Sequence, residues 1–237
     1  MRWLLWKLIA AARLRRLGGR LVVEGGPPRL DGPLRLECGA RPGTLTLRVG
    51  RAVRLGRDCV IDLADGVDGV IELADGVLLQ SRVRLQPWGG AIRLGDHTQV
   101  RDGCELKAKG ELRVGERVVV ARHSSLHCHQ AITIGDDVGL GDRVAITDSD
   151  HTNDGSGTPV LQQPVVAAPV VLERNVLCGT NVVVLKGTRI RADTVVAAGA
   201  VVTGGEHRSG WLIGGVPAKP LRQLGVGAHD DPSVPLR

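Results

Sequence analysis

The sequence predicts an all-β protein built as a parallel β-solenoid, and three observations support this fold class. An aliphatic residue recurs every six positions, with a small or β-branched residue four positions after it. A helix needs a period near 3.6 and a simple strand a period of 2, so a period of six fits a short strand and a turn, repeated. The 237 residues include no Phe and no Tyr, as expected of a narrow interior that admits only aliphatic and small side chains.

The six-residue repeats keep one phase over most of the chain, and three of them make a coil of about 18 residues. The repeats begin at Val49, Leu55, Ile61, Leu73, Leu79, Leu85, Leu94, Val100, Leu106, Val114, Val120, Leu126, Ile134, Leu140, Ile146, Leu172, Val184, Ile190, Val196 and Val202, with Cys178 in one further slot. The coil starts at 94, 114 and 134 are spaced by 20, and those at 172 and 190 by 18. The step from 134 to 172 is 38, so about 20 residues are inserted into one coil.

The insertion, residues 147–169, defines the predicted organisation of the chain. An excursion of this length from a compact repeat is usually functional, and solenoids place their insertions on one face. We expect residues 1–48 to form a basic helix over 1–21, followed over 24–48 by an irregular lead-in or cap or by a poorly matched first coil. Residues 49–210 form the solenoid, and 211–237 a closing segment with a tail from 225 that we expect to be disordered.

The formal charge of +6 lies at one end of the chain. Residues 1–20 hold six basic side chains and no acid, which leaves 25 basic and 25 acidic residues in the remainder. A neutral body with almost no aromatic rings excludes a nucleic-acid-binding protein. Two hypotheses remain for residues 1–21: the helix caps the open end of the solenoid, or its basic residues and two Trp dock on an anionic membrane surface.

Composition also indicates the compartment. A membrane-spanning helix needs an apolar run of roughly 18 residues or more, and the sequence has none, so we expect no such helix. Five Cys with no CxxC pair do not make a disulfide framework or a zinc site. We therefore expect a cytoplasmic protein, with a peripheral position at the inner membrane surface as the alternative that residues 1–21 leave open.

His151 is the candidate catalytic residue. It lies at the start of the insertion in Asp148-Ser149-Asp150-His151. An imidazole titrates near physiological pH and can accept a proton from an attacking hydroxyl or amine, and a nearby carboxylate such as Asp148 can orient the ring. The alternative is a surface-loop histidine among polar neighbours.

The chain resembles the hexapeptide-repeat acyltransferases, in particular their sugar- and antibiotic-acetylating branch. The resemblance covers residues 49–222 and rests on the repeats, the histidine-bearing insertion, the run Pro169 to Gly179 and the closing Gly215-Val216-Pro217-Ala218-Lys219-Pro220-Leu221-Arg222. It implies a left-handed parallel β-helix with short N-terminal and C-terminal helices. It also implies transfer from acetyl-CoA to a sugar or glycan-precursor hydroxyl, as in polysaccharide biosynthesis. His151 would be the general base, the active unit would be a homotrimer with sites between subunits, and no metal would be required.

The resemblance also assigns the acetyl-CoA site, at Gly179, Thr180, Ala198, Thr203, Gly204, Lys219 and Arg222. Two positions depart from the family pattern. Leu177 replaces a Trp that helps to line the acceptor site, and Gly204 replaces a basic residue that meets the CoA phosphates. Lys219 and Arg222 could supply that missing charge through charge-assisted hydrogen bonds.

Two other functions stay open at this stage. His123, His127 and His129 could bind zinc as in the gamma-class carbonic anhydrases, although their spacings of four and two differ from the five of that class. The solenoid could also be a non-catalytic scaffold. The cysteines fit packing positions, and a nucleophilic role is not expected of them.

Overall fold

Three parallel sheets run along the chain in the computed structural model, which describes residues 2–225. Successive strands join sheet A, then sheet B, then sheet C, so that one passage through the three sheets is one coil. Within the described residues sheet A has nine strands, which corresponds to nine coils. The predicted parallel β-solenoid is confirmed.

The strands are short, as expected of coils whose turns recur every few residues. Sheet A contains β1 (Arg20–Gly25), β4 (Thr44–Val49), β7 (Gly69–Leu73), β10 (Ala91–Leu94), β13 (Glu111–Val114), β16 (Ala131–Ile134), β21 (Val170–Leu172), β24 (Thr188–Ile190) and β27 (Gly205–His207). Sheet B contains β2 (Arg29–Leu30), β5 (Arg54–Leu55), β8 (Leu78–Leu79), β11 (Gln99–Val100), β14 (Val119–Val120), β17 (Gly139–Leu140), β22 (Leu177–Cys178), β25 (Val195–Val196), β28 (Trp211–Gly214) and β29 (Lys219–Gln223). Sheet C contains β3 (Leu34–Cys38), β6 (Cys59–Leu63), β9 (Arg84–Pro87), β12 (Glu105–Ala108), β15 (Ser125–Cys128), β18 (Ala145–Thr147), β23 (Val183–Val184) and β26 (Val201–Val202).

The remaining elements lie outside these sheets. They are the helix α1 (Arg2–Arg16), the strands β19 (Ser149–His151) and β20 (Val165–Ala167), and a 3-10 turn over Val160–Gln162. No helix within residues 2–225 has the length and apolar character that crossing a membrane requires.

The repeat positions stack directly on one another between coils. In sheet A, Leu94 pairs with Val114, Val114 with Ile134, and Ile134 with Leu172 across the insertion. These side chains are buried in one continuous core. Because side chains alternate between the two faces of a strand, this register keeps the aliphatic residues inside on every coil.

Acidic side chains at the corners join the coils on the outside. Asp96 Oδ1 accepts a hydrogen bond from the backbone N–H of Asp75 at 2.9 Å, and Asp136 Oδ1 accepts one from Glu116 at 2.8 Å. Each carboxylate thus satisfies an amide of the preceding coil that the corner leaves without a strand partner. This is a structural reason for the Gly-Asp pairs that follow the repeat starts Leu94 and Ile134.

The solenoid begins before Val49, the first repeat start recognised in the sequence. Residues 20–38 form a first coil, since β1, β2 and β3 pair in parallel with β4, β5 and β6. Of the two predictions for residues 24–48, the poorly matched coil agrees with this pairing and the irregular lead-in does not. Arg20 pairs with Thr44 and Leu34 with Cys59, so this coil is longer than three six-residue repeats. The six-residue phase is lost there because Gly25 lies at the repeat position opposite Val49, and Leu30, opposite Leu55, follows it after only five residues.

Helix α1 closes the N-terminal end of the solenoid, as the cap hypothesis states. Trp3, Trp6, Ala10 and Leu14 are buried and belong to the same core as the coils. The two indole rings stack with centroids 4.9 Å apart. The Trp side chains therefore fill the open end, and the role in membrane docking suggested for them is wrong.

The C-terminal end differs from the expectation of a helix. Strand β28 continues sheet B beside β25, and β29 then folds back antiparallel to β28. No helix follows the solenoid within residues 2–225. Pairing of β29 along the edge of β28 covers a strand edge that would otherwise be exposed. The tail that we expected to be disordered falls, apart from Gly225, outside the described residues.

Replacing Leu14 by Ala tests the contribution of the cap to stability. Leu14 is fully buried, so we expect L14A to lower the free energy of unfolding by about 3 kcal/mol. The matched variant L8A, on the exposed side of α1, should change it by less than about 0.5 kcal/mol. Urea unfolding followed by far-ultraviolet circular dichroism measures both, and equal effects would contradict the capping role.

Candidate active site

The insertion leaves the solenoid at the corner between sheets C and A. It follows β18 of sheet C and returns at β21 of sheet A. Its two arms form the antiparallel pair β19 and β20, in which Ser149 lies opposite Ala167 and His151 opposite Val165. The candidate base is therefore part of a hydrogen-bonded hairpin at the corner of the solenoid between sheets C and A.

Asp148 fastens the base of this hairpin to the coil below. Its side chain is fully buried, with 0% exposure. The two carboxylate oxygens accept hydrogen bonds from the backbone N–H groups of His129 at 2.6 Å, Gln130 at 2.7 Å and Ala131 at 2.7 Å. Charge-assisted hydrogen bonds of this kind are strong, and they satisfy three amides at the corner together.

The catalytic assignment of Asp148 is therefore corrected to a structural one. Among the hydrogen bonds of residues 2–225, none joins Asp148 to His151. Both carboxylate oxygens of Asp148 are occupied by backbone amides, so the group has no free oxygen to orient the imidazole. Asp148 can act on His151 only by fixing where the hairpin starts.

The orienting partner of His151 is a backbone carbonyl. The Nδ1 atom of His151 lies 3.2 Å from the carbonyl oxygen of Gln163. A carbonyl oxygen only accepts hydrogen bonds, so Nδ1 carries the proton of the neutral ring and Nε2 carries the lone pair. His151 is exposed, which leaves this lone pair open to a ligand. A neutral imidazole held in this tautomer has the free lone pair that a general base needs.

Gln163 organises the loop that faces His151, a role that sequence reasoning missed. Although it lies in a polar insertion, its side chain is only 5% exposed. Its Oε1 accepts a hydrogen bond from the N–H of Asp154 at 3.0 Å, and its Nε2 donates to the carbonyl of Thr158 at 2.8 Å. These bonds fix the backbone at residue 163, whose carbonyl holds the imidazole.

Lys186 is a second residue that the sequence did not indicate. Its ammonium group forms an ion pair with Asp150, the residue before His151. Lys186 lies at the same corner, because the N–H of Gly187 donates to the carbonyl of Ala168 at the end of the insertion. No motif signals this contact, since 36 residues separate the partners.

Five of the seven residues assigned to acetyl-CoA divide between two corners of one chain. Gly179, Thr180 and Ala198 follow β22 and β25, and so lie at the corner between sheets B and C. Thr203 and Gly204 follow β26 and lie at the corner between sheets C and A, where the insertion also leaves. A single chain thus brings Thr203 and Gly204 to the same corner as His151 but places the other three residues at a different corner.

Close stacking of coils explains two of the assigned glycines. A Cβ on Gly179 would lie 2.6 Å from the backbone nitrogen of Ala198, so no other residue fits without displacing the next coil. A Cβ on Gly204 would lie 3.1 Å from the carbonyl oxygen of Lys186. The backbone of Lys186 therefore lies beside Gly204 on the neighbouring coil, while its ammonium group pairs with Asp150.

The remaining assigned residues lie at the C-terminal end of sheet B. Lys219 pairs with Gly214, and Arg222 with Leu212, in the antiparallel strand β29. Both side chains are exposed and could reach an anionic ligand. Leu177, at the position of the family Trp, is 51% exposed in β22.

Comparisons with known proteins agree with this architecture. The chain is 30% identical to a probable acetyltransferase of Mycobacterium tuberculosis over 141 residues, which are 59% of this chain and 47% of that protein. It is 38% identical over 73 residues to a 2,3,4,5-tetrahydropyridine-2,6-dicarboxylate N-acetyltransferase of Staphylococcus aureus, covering 31% of this chain and 30% of that enzyme. No family model matches the chain.

A solved structure shows the same fold. A UDP-N-acetylglucosamine acyltransferase of Francisella novicida aligns with a TM-score of 0.50 at 10% identity, over 79% of this chain and 66% of that one. By its six-residue repeats and its parallel sheets, the chain is a hexapeptide-repeat solenoid in architecture. It spans about half of the Mycobacterium protein and less than a third of the Staphylococcus enzyme.

The histidines of the hexapeptide-repeat protein do not form a metal cluster in the part of the chain that the structure describes. His127 lies beside Lys107 on the outer face of sheet C, and Lys107 Nζ lies 3.9 Å from the centre of the Trp88 ring. Burial, together with the positive charge of Lys107, lowers the pKa of His127. His123 is exposed at a corner, and His129 is half-buried.

The five thiols of the hexapeptide-repeat protein are free, and four of them are buried. Burial raises the pKa of the Cys104 thiol to about 11 and the pKa values of the Cys128 and Cys178 thiols to about 12. These thiols are protonated at neutral pH, and a protonated thiol is a poor nucleophile. The packing role expected for the buried cysteines agrees with this geometry.

Replacing Asp148 by Asn in the hexapeptide-repeat protein tests the structural role of that residue. Asn keeps one acceptor oxygen and turns an NH₂ group toward backbone amides, so we expect D148N to lower the free energy of unfolding by about 3 kcal/mol. D150N removes an exposed ion pair and should lower it by less than about 1 kcal/mol. Urea unfolding measures both variants, and a D148N protein as stable as the wild type would contradict the assignment.

Proposed function

We propose that this hexapeptide-repeat protein is an acetyl-CoA-dependent O-acetyltransferase that modifies a hydroxyl group of a sugar or glycan precursor. One observation carries the proposal: His151 is exposed on an anchored hairpin, and its Nδ1 donates to the Gln163 carbonyl, so that Nε2 is available as a base. The local similarity to two proteins named as acetyltransferases supports the choice of donor.

In the proposed reaction, Nε2 of His151 accepts the proton of the acceptor hydroxyl as its oxygen attacks the thioester carbonyl carbon. The carbon–sulfur bond of the tetrahedral intermediate then breaks, and the imidazolium returns the proton to the departing CoA thiolate. No covalent acyl-enzyme is needed, because holding donor and acceptor together supplies much of the rate. The Gln163 carbonyl stabilises the imidazolium through Nδ1, and Asp148 is a positioning residue that acts through the base of the hairpin.

The donor is proposed to lie along the small residues of the corners. Gly179, Thr180 and Ala198 offer a surface without bulky side chains, and Thr203 and Gly204 offer another. Lys219 and Arg222 would meet the CoA phosphates, with Lys186 as an additional cation at the corner of the insertion.

A homotrimer is part of this proposal. The corner with Thr180 and Ala198 is not the corner that carries His151, so one chain alone divides the proposed site. A cyclic assembly brings the first corner of one subunit against the second corner of its neighbour and completes three equivalent sites.

We also propose a cytoplasmic location for the reaction, at the inner surface of a membrane. Five free thiols suit a reducing compartment. The six basic residues among the first 20 suit a surface of anionic lipids.

Replacing His151 by Asn tests the proposed base. Asn keeps polarity but cannot accept the proton, so we expect the kcat of H151N for acetyl transfer to fall at least about 100-fold while the binding of acetyl-CoA is retained. The matched control is H97N, since His97 is exposed and lies two coils away, and this variant should retain full activity. Thiol release from acetyl-CoA over a panel of sugars measures both, and undiminished transfer by H151N would refute the mechanism.

Mixing two inactive variants tests whether the site is shared between subunits. A198W places a bulky side chain at an exposed position of the proposed donor surface, whereas H151N lacks the base. When equal amounts are unfolded and refolded together, random assembly should restore about a quarter of wild-type activity, because one site in four pairs an intact base with an intact donor surface. Each variant refolded alone is the control, and no recovery in the mixture would place both parts of the site in one chain.

A further inference from the structure

Helix α1 carries a second apolar face that the cap does not use. Its inner face is buried against the solenoid, as described above. On the opposite side, Leu4, Leu5, Leu8 and Ile9 are 62%, 60%, 70% and 59% exposed. A helix on the surface of a globular protein normally has one apolar stripe and a polar face opposite it. We call these four side chains the outer patch.

The outer patch is continuous along the helix. Leu4 and Leu8 are four residues apart, as are Leu5 and Ile9, so each pair lies side by side on consecutive turns. Single exposed leucines are common on protein surfaces, but four adjacent aliphatic side chains mark an interaction surface.

Unpaired cations lie on α1 and shortly after it in the chain. Lys7, Arg15, Arg16 and Arg20 are exposed, and within residues 2–225 their side chains form no hydrogen bond or ion pair that meets ordinary distance criteria. In contrast, Arg2 and Arg13 donate hydrogen bonds to the carbonyls of Asp31 and Leu36 and so fasten the helix to the first coil.

Neighbouring acids do not neutralise these cations. The helix contains no acidic residue. In the adjoining coil, Glu24 pairs with Arg48, Asp31 with Arg54, and Glu37 with Arg84. The end of the solenoid therefore presents apolar side chains together with a net positive charge.

We propose that the outer patch docks α1 onto an anionic lipid bilayer, with the helix lying in the plane of the interface. The four aliphatic side chains enter the boundary of the acyl chains, and the four cations meet the lipid phosphates. A 15-residue helix is about 22 Å long and does not reach across a hydrocarbon core of about 30 Å.

The capped solenoid holds the helix in the orientation that docking requires. The buried Trp and Leu side chains fix one face inward, so the outer patch is preformed before it meets a membrane. In a cyclic trimer the three copies of the patch lie at the same height along the symmetry axis, and three contacts act together.

A second copy of the chain is the other possible occupant, and the charge disfavours it. Two outer patches in contact would bring eight unpaired cations together with no acid between them, whereas an anionic bilayer supplies the opposite charge. The proposal does not depend on the transfer chemistry, so its test can fail while the proposed activity stands.

The test is co-flotation of the full-length protein with vesicles of phosphatidylcholine alone or mixed with phosphatidylglycerol. We expect the protein to float with the anionic vesicles and not with the neutral ones. The double variant L5Q/L8Q should lower the partition coefficient roughly 100-fold, because two apolar side chains no longer enter the bilayer. Its control is V216Q/L221Q, with residues of 72% and 59% exposure at the opposite end of the solenoid, which should bind as the wild type does.

A second pair of variants separates charge from apolar contact. R15Q/R16Q should lower the partition coefficient roughly 10- to 30-fold at low salt, while R82Q/R208Q, which removes the same charge from the body of the solenoid, should not lower it. Wild-type protein that fails to float with anionic vesicles at low salt overturns the proposal. Binding that all four double variants retain overturns it as well. A doubled mass by light scattering that L5Q/L8Q abolishes, without vesicle binding, would assign the patch to a second copy instead.

Discussion

The stacking of one coil on the next in a fixed register is the constraint on which the rest of this structure depends. Backbone hydrogen bonds between coils and the column Leu94, Val114, Ile134, Leu172 and Ile190 enforce the same alignment. A slip of one residue in a strand would turn these side chains out of the core and polar ones into it. The interior of the coils is therefore built from aliphatic and small side chains, and Phe and Tyr have no place in it. The insertion lies between Ile134 and Leu172, and these two residues still pair, so the insertion does not shift the register.

The rigidity of the coils determines how a reactive group can be added to them. An insertion can leave only at a corner, where the strands end, and its base must satisfy the amides that the corner exposes. Asp148 does this for three amides of the preceding coil. His151 then lies on a hairpin with a fixed origin, and the buried side chain of Gln163 shapes the loop whose carbonyl orients the imidazole. The position of His151 thus depends on the register of the coils, because the register sets where Asp148 anchors the hairpin and the hairpin carries His151.

A solenoid leaves its core open at both ends, and the two ends of this chain are closed in different ways. Strand β29 folds back on the edge of sheet B at the C-terminal end. At the N-terminal end α1 buries two Trp side chains on the first coil. Its other face is apolar, and the same helix carries exposed cations. The cap and membrane hypotheses for this helix concern different faces of it and are compatible. Because the inner face of α1 is packed on the first coil, the outer patch is held in a fixed orientation.

Spacings within one or two coils were enough to predict the solenoid, its six-residue register and the position of the insertion, whereas His151 as a base is a prediction that the family resemblance favours. The spacing left the first coil open, because Gly25 takes a repeat position there and Leu30 follows it after five residues, and it missed the C-terminal strand, which was predicted as a helix. Tertiary structure alone decided that Asp148 binds backbone amides 17 to 19 residues away, that Gln163 orients His151 across 12 residues of loop, and that Lys186 meets Asp150. Only the fold also decided which face of α1 is buried. These contacts join segments at no regular spacing, so local periodicity carries no record of them; they exist only once the coils have stacked.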